Sequence, residues 1–173
     1  MACALTAGYT QDCRDSVGGV KEIKVIEMAN VASFTETANV VTTVTNASTK
    51  RWWSYKPAKE TVTAKSAITA NVQNGTLYYA QEVSLAINKM QTSLRTELGN
   101  LAKNILYVAV RDANDKYWIY GYTRGLDVTG GETGTGTAPG DRNGYQLTLT
   151  GQEPADAIEI SSTAWGTLEI PGT

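Results

Sequence analysis

"ETVTAKSAITANVQNGTLYYAQEVSLAI", residues 60–87, carries the clearest pattern in the chain. Val62, Ala64, Ile68, Ala70 and Val72 fall on even positions, and Thr61, Thr63, Lys65, Thr69 and Asn71 on odd ones. Side chains alternate across a strand, so period two predicts one buried and one wet face. Asn74-Gly75 follows, a pair that accepts positive φ at both residues and so predicts a tight hairpin turn. Beyond it Val83, Leu85 and Ile87 resume the alternation. The expectation is an antiparallel hairpin over 59–87, each arm about 40 Å long at ~3.3 Å per residue. That is roughly twice an ordinary strand. Such a hairpin projects from its own core unless it lies against something else, which points toward assembly.

Working outward, "VKEIKVIEM" (20–28) and "NVASFTET" (30–37) have strand propensity, and residues 1–19 read as an N-terminal arm. "VVTTVTNASTKRWWSYKP" (40–57) reads as two strands joined by a turn at 46–49. On the other side, Leu94, Leu98, Leu101, Ala102 and Ile105 form one apolar stripe and predict a helix over 92–103, capped by Thr92 or Ser93. "ILYVAVRDANDKYWIYGY" (105–122) is a second hairpin turning at "DAND". Seven glycines then crowd 125–144, predicting a long structureless loop. "YQLTLTG" (145–151) is a strand, and the tail (157–173) supplies one or two more. The expected fold is one α+β domain over 1–173, mainly antiparallel: a β sandwich or open barrel with one packed helix and a long protruding hairpin.

The composition narrows function. Net charge is −2 with acids and bases interspersed, unlike a protein that grips nucleic acid through a concentrated basic face. No apolar run approaches a membrane span, and the start, "MACALTAGYTQDC", lacks a basic region followed by an apolar core. The expectation is a protein made in a cytoplasm, without a membrane partner. Cys3 and Cys13 read as free thiols, and with no histidine a structural zinc site has no ligand set.

Catalytic constellations fail one by one. Histidine-based triads and dyads lack their base. Lys65 and Ser66 are neighbours in a strand and face opposite sides. Asp112 and Asp115 bracket a turn, where aspartate bonds its own backbone, and Asp127 and Asp141 need no substrate either. In the glycine-rich stretch no lysine follows a glycine as a P-loop demands. "GTGTAPG" has the wrong spacing for a dinucleotide fingerprint and leads into a strand, and the calcium-loop spacing is absent. The expectation is no enzyme, no cofactor and no metal.

What remains suits an interface between copies. Trp52, Trp53 and Tyr55 cluster, Tyr78 and Tyr79 follow the hairpin tip at Asn74 and Gly75, and exposed Trp and Tyr mark interfaces. Of the adjacent Trp52 and Trp53 a core can take only one. Gly130, Gly131, Gly134 and Gly136 permit a path laid along a neighbour. These eleven residues are the candidate subunit-interface set.

The stretch that runs from "NGTLYYAQEVSLAINKMQTSLRTEL" to "GDRNGYQLTLTGQEP" (74–154) resembles virion structural proteins of tailed bacteriophages, most of all tail tube proteins. The resemblance spans about half the chain and rests on layout, since such proteins carry no sharp catalytic motif. It implies a subunit of a virion that assembles with itself into hexameric rings stacked as a tube, beside other tail or virion proteins. The 59–87 hairpin would line a lumen through which DNA passes without specific binding. The arm and the 125–144 loop would bridge rings. A tail terminator, a head decoration protein and a carbohydrate-binding or adhesin module are the alternatives.

Overall fold

The structure, a computed structural model, describes residues 7–10 and 13–172. In chain order the strands are β1 (Val20–Glu27), β2 (Val31–Thr37), β3 (Val40–Asn46), β4 (Trp53–Tyr55), β5 (Val62–Asn71) and β6 (Thr76–Asn88). Helix α1 (Thr92–Leu101) follows, then β7 (Leu106–Asp112), β8 (Tyr117–Tyr120), β9 (Asp127–Gly134), β10 (Gly144–Glu153), β11 (Ile158–Ile160) and helix α2 (Ser162–Thr167). They build a β sandwich. One sheet has seven strands in the order β2-β3-β11-β8-β7-β1-β4, the other four in the order β5-β6-β10-β9. All pairings are antiparallel except β3 with β11.

The centre of the seven-stranded sheet is buried on both faces, which explains why "LYVAV" in β7 is a continuous apolar run rather than an alternating one. Leu106, Val108 and Val110 face the four-stranded sheet with Ile23 and Val25 of β1, meeting Val83, Leu85, Leu147 and Leu149. Tyr107 and Ala109 point the other way, into a second core with Trp52, Ile119, Ile160 and the α2 residues Ala164 and Trp165. Lys24 is buried there too, its Nζ 3.1 Å from the Trp165 carbonyl and 3.2 Å from Glu169. Helix α1 closes one side of the first core with Leu98, flanked by half-buried Leu94 and Leu101.

The 59–87 hairpin forms as β5 and β6, with Ala64 opposite Val83 and Val62 opposite Leu85. Its turn differs from the expected two-residue one. Residues 72–75 form the connection between Asn71 and Thr76, and only Gly75 has positive φ (63°). The Asn71 side chain accepts from the Asn74 N–H at 3.0 Å, so the asparagine signal closes a wider turn. The two-residue turn with both φ positive occurs elsewhere, at Ala38 (53°) and Asn39 (62°) between β2 and β3.

Three further expectations are corrected. The 46–49 turn does not make β3 and β4 neighbours: β3 pairs β2 and β11 while β4 pairs β1, because Trp52 must enter the second core. The N-cap of helix α1 is Gln91, whose side chain makes no capping bond, rather than Thr92 or Ser93, and Ile105 falls outside the helix and is exposed. The tail holds a strand and then a second helix, α2, whose N-cap Ser161 accepts from the Ala164 N–H at 3.2 Å.

The largest correction is to the glycine-rich stretch. Residues 127–134 are a strand, β9, paired along its length to β10 at the sheet edge. Glycine here serves close approach: a Cβ on Gly131 would lie 3.0 Å from the Leu147 side chain and 3.1 Å from the Gln146 carbonyl. Backbone pairing needs no side chain, so a side-chain pattern gave no sign of it. Only 135–143 connects β9 to β10, and Asp141 organises it by accepting from the Thr137 and Ala138 N–H groups at 2.9 and 2.8 Å.

Candidate assembly surface

The described part of the arm, 7–10 and 13–19, has no regular secondary structure. Its base is tied to the β7–β8 turn, where the Asn114 side chain accepts from the Val17 N–H at 2.8 Å and donates to the Val17 carbonyl at 3.0 Å. Cys13 is an exposed free thiol, and Cys3 lies outside the described residues.

The eleven candidate residues fall in separate places. Trp52 is corrected outright: it is 1% exposed, ring-stacked near Tyr107 and hydrogen-bonded to Asn46, so it is core and unavailable to a partner. Trp53 is the exposed member, at 55%, with the Arg51 guanidinium 4.4 Å over its ring. Tyr55 is half-buried against the first core, and burial, with Glu97 and Glu27 nearby, pushes its phenol above the ordinary range. Trp53 and Tyr55 lie on β4, an edge of the seven-stranded sheet.

Asn74 and Gly75 are exposed at the tip of the β5–β6 hairpin, and Tyr78 and Tyr79 are half-buried just behind it. Tyr79 stands opposite Ile68 and Tyr78 opposite Thr69, so the two tyrosines face opposite sides. Gly130, Gly131 and Gly134 lie on β9, at the far edge of the same sheet. Gly136 is in the following connection at φ 70°, where a Cβ would meet the Asp141 side chain at 2.5 Å.

The hairpin passes from core to solvent along its length. Val62, Val83 and Leu85 are buried, and Gln81 is the last fully buried residue toward the tip. The Gln81 side chain accepts from the Gly121 N–H at 2.8 Å and donates to the Ala155 carbonyl at 3.2 Å, and beside it buried Glu153 accepts from the Thr123 and Arg124 N–H groups. Past this anchor Ile68 (67% exposed) and Leu77 (55%) continue the apolar side of the sheet with nothing over it, and Val72 (93%) follows in the turn.

The opposite face of the four-stranded sheet turns away from the core. Thr63, Ser84, Gln146, Thr148 and Thr150 make it polar, with Lys65 bridged to Glu82 at 3.0 Å and two acids, Asp127 and Glu132, on β9. From sequence Lys65 and Asp127 were weighed only as catalytic candidates, and Glu132 was not singled out. The alternation over 60–72 put Lys65 on the wet face, but the register of β9 was hidden by its glycines.

Both β5 and β9 pair on one side only, leaving a free row of backbone N–H and C=O groups on each. Among the described residues no group of His, Cys, Asp or Glu could hold a metal ion, and no helix is long and apolar enough to cross a membrane. Asp112 and Asp115 serve their turn: Asp112 accepts from the Asn114 and Lys116 N–H groups, and bonds from Lys21 and Arg111 hold the Asp115 carboxyl below its usual range. No family model matches the chain, and neither does any curated protein or solved structure.

Proposed function

We propose that this chain is the structural subunit of a self-assembling tube of the kind found in phage tails, built from stacked, hexameric rings and incorporated into a virion with other tail proteins. The observation that carries the reading is the four-stranded sheet with both edges open. Its strands alternate in direction and their number is even, so β5 and β9 run antiparallel to one another. A second copy added edge to edge, its β9 along β5, therefore prolongs one antiparallel sheet without breaking the alternation. Such contacts are head-to-tail, and they close into a ring when the rotation per copy divides a full turn.

The polar, weakly acidic outer face would line the lumen, and a surface of Thr, Ser and Gln with few cations would let DNA pass without holding its phosphates. The bare apolar side of the hairpin end, at Ile68, Val72 and Leu77, would be covered by a neighbour. Burial of Trp52 weighs against the carbohydrate-binding reading, because the Trp52–Trp53–Tyr55 cluster then offers one exposed ring instead of a platform.

Negative-stain electron microscopy of purified protein across a concentration series tests the reading. Tubes with a central hole, or stacked rings, are expected. Single rings that never stack would favour a terminator, and particles of 18.6 kDa at every concentration would contradict self-assembly.

A further inference from the structure

The two open edges carry opposite charge. The edge strand β5, "VTAKSAITAN", has one charged residue, Lys65, and the edge strand β9, "DVTGGETG", has two acids, Asp127 and Glu132, and no base. All three point to the same outer face: Lys65 stands opposite Glu82, Glu132 opposite Gln146, and Asp127 opposite Thr150. Lys65 bridges Glu82 but its side chain stays 63% exposed, and an ammonium has three donors, so one more acceptor fits. Among the described residues Asp127 and Glu132 form no ion pair. Arg142, which lines a groove with Glu132, bonds the Gln146 side chain at 3.0 Å instead.

We propose that these charges select head-to-tail pairing of copies and fix its register, with Lys65 of one copy against Glu132 of the next. This rests on the reading of the chain as a self-assembling subunit. Pairing of like edges is disfavoured: β5 on β5 brings lysine toward lysine, and β9 on β9 brings acid toward acid. Unlike edges attract. Charge complementarity of this kind suppresses wrong pairings and sets register more than it adds raw affinity.

Face matching leaves two registers that put an acid beside Lys65. With Asp127 there, residues 132–134 of β9 run past the base of β5 and the far half of β5 stays unpaired. With Glu132 there, all of β9 lies alongside β5. Gly134 then stands beside Thr63, Gly131 beside Ser66 and Gly130 beside Ala67. The bulge in β9 between Val128 and Gly130 returns Val128 to the core-side face, beside Ile68. That apolar neighbour covers a side chain left 67% exposed in the single chain. Gly131 adds no side chain on the core side and Gly130 and Gly134 add none on the outer side, so the two backbones can approach there.

The test is charge reversal with complementation by mixing, read by mass photometry. Lys65→Glu and Glu132→Lys are each expected to raise the concentration needed for assembly at least tenfold. An equimolar mixture of the two is expected to assemble at the wild-type concentration. In it each acidic β5 edge meets a basic β9 edge and each basic β5 edge an acidic β9 edge, so the variants alternate. Rescue by mixing also shows that each variant is folded. Single reversals that assemble like wild type, or circular dichroism of folded variants whose mixture stays monomeric, would overturn the charge-selected register while leaving the tube reading standing. A wild-type protein that never assembles would sink both.

Discussion

The Trp52 indole N–H donates to the Asn46 side-chain oxygen at 3.0 Å, and the Asn46 amide donates onward to the carbonyls of Leu168 and Ile170 at 3.0 and 2.9 Å. This one buried asparagine ties β3, the entry to β4 and the chain after α2 into the second core. Asn46→Ala leaves the buried indole N–H and the Ile170 carbonyl without these partners, while the Leu168 carbonyl keeps the Trp52 backbone N–H at 3.1 Å. The expected cost is about 2–3 kcal/mol, from ~1–3 kcal/mol per unsatisfied buried group. Urea denaturation measures it, and an unchanged midpoint would refute the role.

The hairpin divides into a part that holds the fold and a part that does not. Val83→Ala at its buried base should cost about 2 kcal/mol, from ~0.8 kcal/mol per buried methylene plus a cavity term. Leu77→Ser near the tip should leave unfolding of the single chain within ~0.5 kcal/mol, as surface substitutions do, yet weaken assembly. Equal destabilisation by both would contradict the division.

Ala38 occupies a left-handed conformation with φ 53°. The side chain gains nothing there, and a left-handed L-residue costs roughly 1–2 kcal/mol, offset in part by glycine's greater freedom when unfolded. Ala38→Gly should therefore raise stability by about 0.5–1 kcal/mol in thermal or urea unfolding. A loss of stability would show that the turn is not strained.

Glycines in this chain are not alike. At Gly144 a Cβ would lie 2.1 Å from the Ile87 carbonyl oxygen, a backbone atom that cannot move aside, whereas at Gly134 nothing lies within 4 Å. Gly144→Ala should separate β10 from β6 and cost about 1–3 kcal/mol, the usual range for forced overpacking. Gly134→Ala should leave the fold intact. Comparable midpoints for the two variants in urea would contradict the close approach.

Asp141 is held below its ordinary carboxylate value by the N–H groups of Ala138 and Thr137. A depressed folded value means that its contribution is complete above the unfolded value and is lost as pH falls through the folded one. NMR titration of the carboxyl should give a midpoint under 3.8, with the Thr137 and Ala138 amide shifts moving in step. A midpoint at or above 3.8 would remove the capping role.

The strands that alternate were legible from sequence, because one face of each meets a core and the other meets water: 62–72 and 145–151 are examples. Strand β7 was legible as an apolar run, though not as the element shared by two cores. What escaped had its cause in the backbone. In β9, glycine hydrogen-bonds as a strand while giving no side-chain alternation. In the Ala38–Asn39 turn an alanine sits where glycine is expected, and α2 is too short for a periodic stripe. Among the candidate interface residues, adjacency let the core take only one of Trp52 and Trp53, and tertiary pairing, through Asn46 and Tyr107, decided which.

Head-to-tail joining puts β5 of one copy along β9 of the next, and a covalent trap reads that contact. With Cys3 and Cys13 replaced by Ser, Ala67→Cys and Gly130→Cys are introduced together; Ala67 is exposed, and at Gly130 the nearest atom to a new Cβ is 4.0 Å away. Under mild oxidation a ladder of disulfide-linked multimers is expected on a non-reducing gel, ending at the closed ring. Monomer alone, at concentrations where the parent protein assembles or at any concentration at all, would contradict it.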